Sequence, residues 1–551
     1  MDSPMVRRER PSLEASNFIN GILGNRTIID SRPHMLERNL PGGGNWVVQK
    51  FGGTSVGKFP VKIADIVLAG LKPGHRIAVV CSARSSTTKS EGTTTRLVRA
   101  AHNVLDTHSG EFRDIVQTIR LDHLQAGKDA CSVWGNNNND VFTMYSQNVN
   151  AACQNLLKIL EAARFLRAVT DQTEDMVISV GEKLSCLYMT ALLQARGVQA
   201  VYVDLSETIT FEIGKGLDEQ FYLRLGEAIA ERVFALGPDI VPVITGYFGP
   251  VPGGLLKQIG RGYTDLCAAL TAVGLKAREL QVWKEVDGIF TADPRKVPSA
   301  RLLDSVTPSE AAELTFYGSE VIHPFTMGQV IKASIPICIK NVMNPRNQGT
   351  IILPDPHEDD PAIPRPGFFR NRSHSYGLNR YQKQPKRPTA VTIKRGITVL
   401  NIHSKKRTRA YGFLMSIFRI LEHHHLSVDL ISSSEVHVSM ALHSERAMLS
   451  GHGEERMHIE SAALQGAVDD LSQWGDVDLV PDMAIISLVG RQLKTTIGIS
   501  GRFFSTLGEN GINIEMISQG ASEINISCAI EERDADRALN VVHADLFTFL
   551  E

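Results

Sequence analysis

Trp46-Val47-Val48-Gln49-Lys50-Phe51, followed by Gly52-Gly53-Thr54-Ser55-Val56-Gly57, is the stretch on which the reading of the fold turns. The first six residues have the apolar, β-branched content of a buried strand, and the next six read as a glycine loop. Pro60 suits the first turn of a helix whose apolar face is Ile63, Ile66, Val67 and Leu71, and Pro73-Gly74 ends it. Residues 77–81 are a second apolar strand. Strand, glycine loop, helix and strand make a βαβ unit, which predicts a parallel sheet and an α/β fold.

The pattern recurs downstream. Residues 176–180 read as a strand, Gly181 as a turn, 183–196 as a helix closed by Gly197, and 200–205 as a strand. Residues 240–245, 280–286 and 335–339 are further strand candidates, with Pro242 and Pro336 arguing against central places for the first and last. Segment 101–165 reads as mostly helical, interrupted by a polar loop at 135–140. One large α/β domain is therefore expected over residues 46–353. Residues 354–390 carry seven prolines among charged residues and read as a linker. The first 45 residues hold six Arg, but also Asp2, Glu9, Glu14, Asp30 and Glu37, so a disordered cytoplasmic tail is expected rather than an acid-poor transit peptide.

An internal repeat follows the linker. Val428-Asp429-Leu430-Ile431-Ser432-Ser433-Ser434-Glu435-Val436-His437 matches the segment from Ile514 to Asn525, with an offset of 86 residues before the turn and 88 after it. Each copy follows a helix-like segment (412–424; 501–510), and an apolar strand precedes each helix (397–402; 484–488). Two β-helix-β-turn-β modules are expected, one over 391–480 and one over 481–551.

Composition narrows the function. Across 551 residues, 58 Lys+Arg against 60 Asp+Glu leave a net charge of −2, which removes a global field for nucleic acid or an anionic membrane. No run approaches the roughly 18 apolar residues of a membrane span, so none is expected. The 7 Cys are scattered without a C-x-x-C pair, against a zinc site or disulfide framework and in favour of a reducing compartment such as the cytoplasm. The run His423-His424-His425 resembles a metal tract, but a solvated, dipole-favourable helix end is the better reading.

The glycine loop nearly fits a P-loop, since Gly52-x4-Gly57-Lys58 lies between strand and helix. Phe59 stands where the Mg²⁺-binding hydroxyl belongs, however. Free N–H groups at a helix start still suit a phosphate, and Lys50 adds positive charge beside them.

Lys50-Phe51-Gly52-Gly53-Thr54-Ser55-Val56-Gly57 resembles the opening signature of the aspartate kinases, within the amino-acid kinase superfamily. Further matches follow in order: Val80-Cys81-Ser82-Ala83, Gly181-Glu182-Lys183-Leu184-Ser185, Gly260-Arg261-Gly262-Tyr263-Thr264-Asp265, residues 283–295, and Val321-Ile322-His323-Pro324. The repeat resembles paired ACT modules, and the whole is most similar to the monofunctional fungal type. The resemblance implies a three-layer α/β kinase fold with a mainly parallel sheet, followed by two α+β, ferredoxin-like regulatory modules.

It also implies the chemistry: ATP and L-aspartate give ADP and 4-phospho-L-aspartate, with Mg²⁺ carried on the nucleotide, early in threonine and methionine biosynthesis. Lys50, Arg261 and Asp265 are the catalytic candidates implied. Ser82, Thr88, Glu182, Arg261 and Thr264 are those for substrate, with Glu182 on the α-ammonium and Arg261 clamping the α-carboxylate. Gly52, Gly53, Thr54, Ser55, Lys284, Glu285, Phe290 and Arg295, with Lys50, are those for nucleotide. Lys58 and His323 are secondary, because Lys58 also reads as a solvated lysine and Glu320 stands where bacterial relatives carry a lysine. Ser432, Ser434, Gln519, Gly520 and Asn525 are the candidates for an amino-acid effector, expected to be threonine. A homo-oligomer through the ACT modules is expected, with neither nucleic acid nor membrane as partner. Another amino-acid kinase, or a catalytically dead amino-acid sensor, are the competing readings.

Overall fold

The opening motif folds as the strand β1 (Trp46–Phe51), buried along its whole length. In place of an open loop, the glycine segment winds into a short helix α1 (Gly53–Lys58), which breaks at Phe59 (φ −131°, ψ 40°) before α2 (Pro60–Gly70) starts on its proline. The computed structural model describes residues 45–85, 92–106, 109–132, 139–214, 216–317, 322, 324–353, 388–404, 412–434, 436–443, 449–450, 458–459, 461–491, 493, 496–520 and 524–547. The tail up to residue 44 and residues 354–387 of the linker lie outside that set.

The N-terminal module continues through β2 (Arg76–Cys81), α3 (Thr93–Asn103), α4 (Glu111–Ser132), α5 (Asn139–Leu166), α6 (Asp171–Ala195), β3 (Ala200–Val203), α7 (Glu219–Phe234), β4 (Val241–Thr245), α8 (Leu255–Ile259), α9 (Tyr263–Gly274), β5 (Glu279–Lys284), β6 (Ser305–Val306), α10 (Pro308–Phe316), α11 (Pro324–Lys332), β7 (Ile337–Asn341) and β8 (Thr350–Ile352). The strands form one eight-stranded sheet in the order β3-β4-β2-β1-β5-β7-β8-β6, parallel except for the β7–β8 pair. One face packs on α7, α9 and α11, the other on α2 to α6, which gives three layers. The α/β expectation holds.

Residues 176–180 and Gly181 are not strand and turn: they lie inside α6, which starts from a Thr170 cap accepting the Thr173 N–H at 3.1 Å. This helix is buried on nearly all sides, so its apolar positions lose the helical period and a five-residue slice resembles a strand. It is long and apolar enough to cross a membrane, yet 83% of its apolar window is buried inside the fold, as a core helix would be.

The C-terminal region comprises β9 (Ala390–Ser404), α12 (Phe413–His423), β10 (Val428–Ser433), β11 (His437–His443), β12 (Leu449–Ser450), β13 (His458–Ile459), α13 (Ala462–Leu471), β14 (Gly475–Val489), α14 (Ile499–Glu509), β15 (Met516–Ser518), β16 (Asn525–Glu531) and α15 (Ala535–Phe547). Six strands form one sheet, β10-β11-β9-β14-β16-β15. The repeat is real: α12 and α14 each start after a left-handed glycine, Gly412 (φ 85°) and Gly498 (φ 84°), 86 positions apart. The two copies are not consecutive, however. The end of β9 pairs with β11 and with the start of β14, whereas Ala390–Lys394 pairs with Ile485–Val489 of the second copy. The strand that completes the second module therefore precedes the first module in the chain, and boundaries at 391 and 481 do not divide them. Gly396 (φ 69°) marks the change of partner.

The second module docks on the N-terminal α/β module. Glu310, in the capping box of α10, accepts from Thr389 Oγ1 at 2.6 Å and from the Arg491 N–H at 3.0 Å. Burial pushes the Glu310 carboxyl up, but the hydrogen bonds from Thr389, Thr307 and Arg491 outweigh it and hold it below its ordinary value. His543 of α15 reaches Thr291 Oγ1 at 2.9 Å, while Ala292 and Val297 join the second module's apolar core. In the first module, His424 lies 2.8 Å from Asp470 and ties α12 to α13, while His423 and His425 are exposed at the helix end as expected. Among the described residues no three potential ligands converge on a metal position, and the six described cysteines are free and buried.

Candidate active site

The parallel strands end on one edge of the sheet, where open α/β folds place their ligands. There β1 delivers Lys50, nearly buried, whose Nζ lies 2.6 Å from Asp265 Oδ1. Asp265 is in the first turn of α9, which begins at Tyr263. A lysine in this position is tolerable only with a partner, and the pair supplies one.

The glycines of the opening motif are required by crowding. A Cβ on Gly53 would stand 2.1 Å from the Ala83 carbonyl oxygen, and one on Gly57 would stand 1.8 Å from that of Ser85. The Ser85 N–H donates to the Gly53 carbonyl at 3.0 Å, so α1 and the segment after β2 are in direct backbone contact. Gly57→Ala must therefore push the two apart. We expect it to cost at least about 1–3 kcal/mol of stability and to lower turnover more than tenfold, checked by thermal melting beside steady-state kinetics. Ser55 Oγ donates to Glu285 Oε1 at 2.6 Å, which joins the cradle to the end of β5.

A cavity of about 180 Å³ opens beside this cradle, lined by Gly53 and Thr54 at one end and by Glu182, Tyr263 and Thr264 at the other. Ser82 and Arg84 line it between. Glu182 is buried on α6, and one of its carboxylate oxygens accepts from Thr264 Oγ1. Burial pushes this carboxyl up to about 7, against the pull of hydrogen bonds from Thr264, Tyr247 and Tyr263 and of the Lys50 charge. Ser185, one turn on, accepts the Arg84 N–H at 2.7 Å and so pins the segment after β2 to the same helix.

The sequence missed Thr93, Thr94 and Thr95, which line the cavity from the start of α3, with Gly92 before them. The available signal was a glycine followed by three hydroxyl residues at a helix start, where the helix dipole favours an anion. Arg84, Leu256 and Tyr263 were missed too.

Other candidates scatter. Thr88 and His323 lie outside the described residues, as does the side chain of Arg261, although its backbone forms the 3₁₀ turn Gly260–Gly262 between α8 and α9. Lys284 ends β5, and Phe290 bridges Leu302 in a loop whose next residue, Thr291, bonds His543. Arg295 is 85% exposed and forks onto Asp293 at 2.9 and 3.0 Å. Lys58 is exposed.

Of the effector candidates, Ser432 is exposed on the edge strand β10, and Ser434 Oγ accepts the His437 N–H at 3.2 Å within the hairpin turn. Gln519 accepts from Ser500 at 3.1 Å, and Gly520 follows it. Asn525 turns away from any exposed effector surface: it is buried and donates to Glu313 of α10, so it belongs to the docking contact between modules.

The profile of the amino acid kinase family matches residues 45–341, and that of the ACT domain matches residues 486–546. The aspartokinases of Schizosaccharomyces pombe and Saccharomyces cerevisiae are each 51% identical to this chain, over 91% and 92% of it and 92% and 93% of their own lengths. Among solved structures, E. coli aspartokinase III in complex with aspartate and ADP superposes with a TM-score of 0.66 at 27% identity, covering 91% of this chain and 99% of that one. The same enzyme in complex with lysine and aspartate gives 0.66 at 28%, covering 91% and 100%. A parallel-sheet kinase module with a lysine–aspartate pair at its edge, joined to two interleaved regulatory modules, thus has its relatives among enzymes of one activity, and the chain belongs to the aspartokinase family.

Proposed function

We propose that this aspartate kinase transfers the γ-phosphoryl group of ATP to the β-carboxylate of L-aspartate, giving 4-phospho-L-aspartate. The observation that carries the reading is one cavity bounded by the Gly53–Thr54 cradle at one end and by the buried acid Glu182 at the other. The reaction sets one anion against another, so oriented donors and cations do most of the work. In this reading Lys50, oriented by Asp265, bridges donor and acceptor. The N–H groups of Gly52, Gly53, Thr54 and Ser55 hold phosphate oxygens, and the end of β5 at Lys284 and Glu285 lies on the nucleotide side. Glu182 meets the α-ammonium, Arg261 the α-carboxylate, and Ser82 with Thr264 completes the polar wall. Mg²⁺ would travel on the phosphates with its own waters.

Regulation is proposed to run through the ACT modules, with threonine as effector of a cytoplasmic homo-oligomer that feeds threonine and methionine synthesis. What supports a route to the active site is the docking contact: Glu310, Glu313 and Thr291 of the catalytic module are bonded directly to the second regulatory module. An effector acts there only through different affinity for two arrangements of that contact. ADP release measured with aspartate, glutamate or carbamate as acceptor, each with and without threonine or lysine, tests both parts. Turnover with aspartate alone, inhibited by threonine and not by lysine, is expected. Asn525→Ala, which removes the bond to Glu313, is expected to weaken threonine inhibition about threefold or more with kcat little changed, read from inhibition curves.

A further inference from the structure

Helix α6 carries more of the pocket than Glu182. Two turns before it, on the same face, stands Asp175, which is buried. Its two oxygens accept the N–H groups of Leu255, at a short separation, and of Leu256, at 3.1 Å. These are the first two residues of α8. Leu256 lines the cavity, and α8 runs directly into the Gly260–Gly262 turn that holds Arg261. The joint is tight: Gly254, the residue before α8, has φ 81°, and a Cβ there would meet the Asp171 Cβ at 2.9 Å. One turn toward the surface, Asp171 pairs with Lys257 at 2.6 Å on an exposed rim.

We infer that Asp175 is a positioning residue for the amino-acid end of the pocket, fixing α8 and the Arg261 turn at a set distance from Glu182 on the same helix. The inference rests on the proposed reading of Glu182 and Arg261 as the two charge anchors. A bare helix cap would serve stability alone. Here the cap is built on the helix that carries the other anchor, so the ammonium and carboxylate sites are spaced by one rigid element. Burial raises the Asp175 carboxyl above its ordinary value, with the two N–H bonds opposing that and the Asp171 charge reinforcing it.

The test is discrimination between L-aspartate and its α-amide, which keeps the β-carboxylate and the ammonium but removes the charge that Arg261 would clamp. Asp175→Asn keeps the volume but turns an amide NH₂ toward one of the two N–H donors. It is expected to narrow the kcat/KM preference for aspartate over the α-amide about tenfold, with kcat at saturating aspartate and KM for ATP changed less than about twofold. Lys257→Ala, at the exposed rim, is expected to leave the preference intact. If Asp175→Asn does not fold, Asp175→Glu keeps both acceptors but displaces α8 by a methylene, and should narrow the preference likewise. An unchanged preference in the folded variant, or a parallel fall in kcat/KM for both substrates alongside a lower Tm, would overturn the inference. Arg261→Ala separates the two levels. If it leaves the preference intact, the reading of Arg261 fails; if it collapses the preference while the Asp175 variants do not, only the positioning role fails.

Discussion

Replacing Lys50 by methionine is expected to lower kcat by about 10²–10³-fold while the α/β module stays assembled. The side chain comes from the innermost part of the sheet and is held at 2.6 Å by Asp265, so its ammonium is preorganised and loses little on reaching the transition state. Charge on the transferring group is greatest there, and Lys50 is the cation that the sheet delivers between cradle and cavity. Methionine conserves volume but leaves Asp265 without its cation, so Asp265→Asn combined with Lys50→Met separates loss of charge from loss of packing. Turnover in the single variant, far-ultraviolet circular dichroism and the melting temperature check the expectation. A folded Lys50→Met enzyme retaining more than about a tenth of wild-type kcat would remove Lys50 from the role given to it.

The second large effect concerns Glu182. Its carboxyl is pushed by burial from an ordinary 4.5 up to about 7, so near neutrality the free enzyme is only partly ionised there. A substrate ammonium needs the anion, and binding must release the proton. The sign follows: aspartate binds weakly below the raised value, gains affinity as pH climbs through about 7, and gains little above it. KM for aspartate should fall about tenfold from roughly pH 6 to roughly pH 8, with KM for ATP flatter over the same range. Glu182→Gln, isosteric but neutral, should raise KM for aspartate by about 10²-fold and abolish that pH dependence. A Glu182→Gln enzyme showing the wild-type profile would place the titrating group elsewhere.

The parts of the fold with local signals were legible. β1, its glycine segment and the proline-led α2 announce a βαβ unit from a short apolar strand and its breakers. The regulatory repeat showed in the matched strands and turns because each copy must bury the same face. What sequence could not show depended on burial and on distant pairing. Residues 176–180 read as a strand because a helix buried on nearly all sides keeps no clear polar stripe. The interleaving of the modules was hidden because Ala390–Lys394 has no local reason to prefer Ile485–Val489; the choice is made by tertiary packing.

The site divides in the same way. Lys50, Glu182, Thr264 and Asp265 sit in motifs and come together in the structure. Thr93 to Thr95 and Leu256 reach the same cavity only because α3 and α8 fold back on it. Asn525, at the end of the matched repeat segment, is expected from sequence to contact an effector; in the structure it is buried and donates to Glu313 of another module, a partner that no local pattern announces.

The central claim is that the acceptor is the β-carboxylate of aspartate, and an acyl phosphate can be trapped. Enzyme incubated with ATP, Mg²⁺, L-aspartate and hydroxylamine should form β-aspartyl hydroxamate in step with ADP release, identified by mass spectrometry against the α-isomer. Both products should fall together, by about 10²–10³-fold, with Lys50→Met. ADP release without a hydroxamate, or a hydroxamate of glutamate in preference to that of aspartate, would contradict the account.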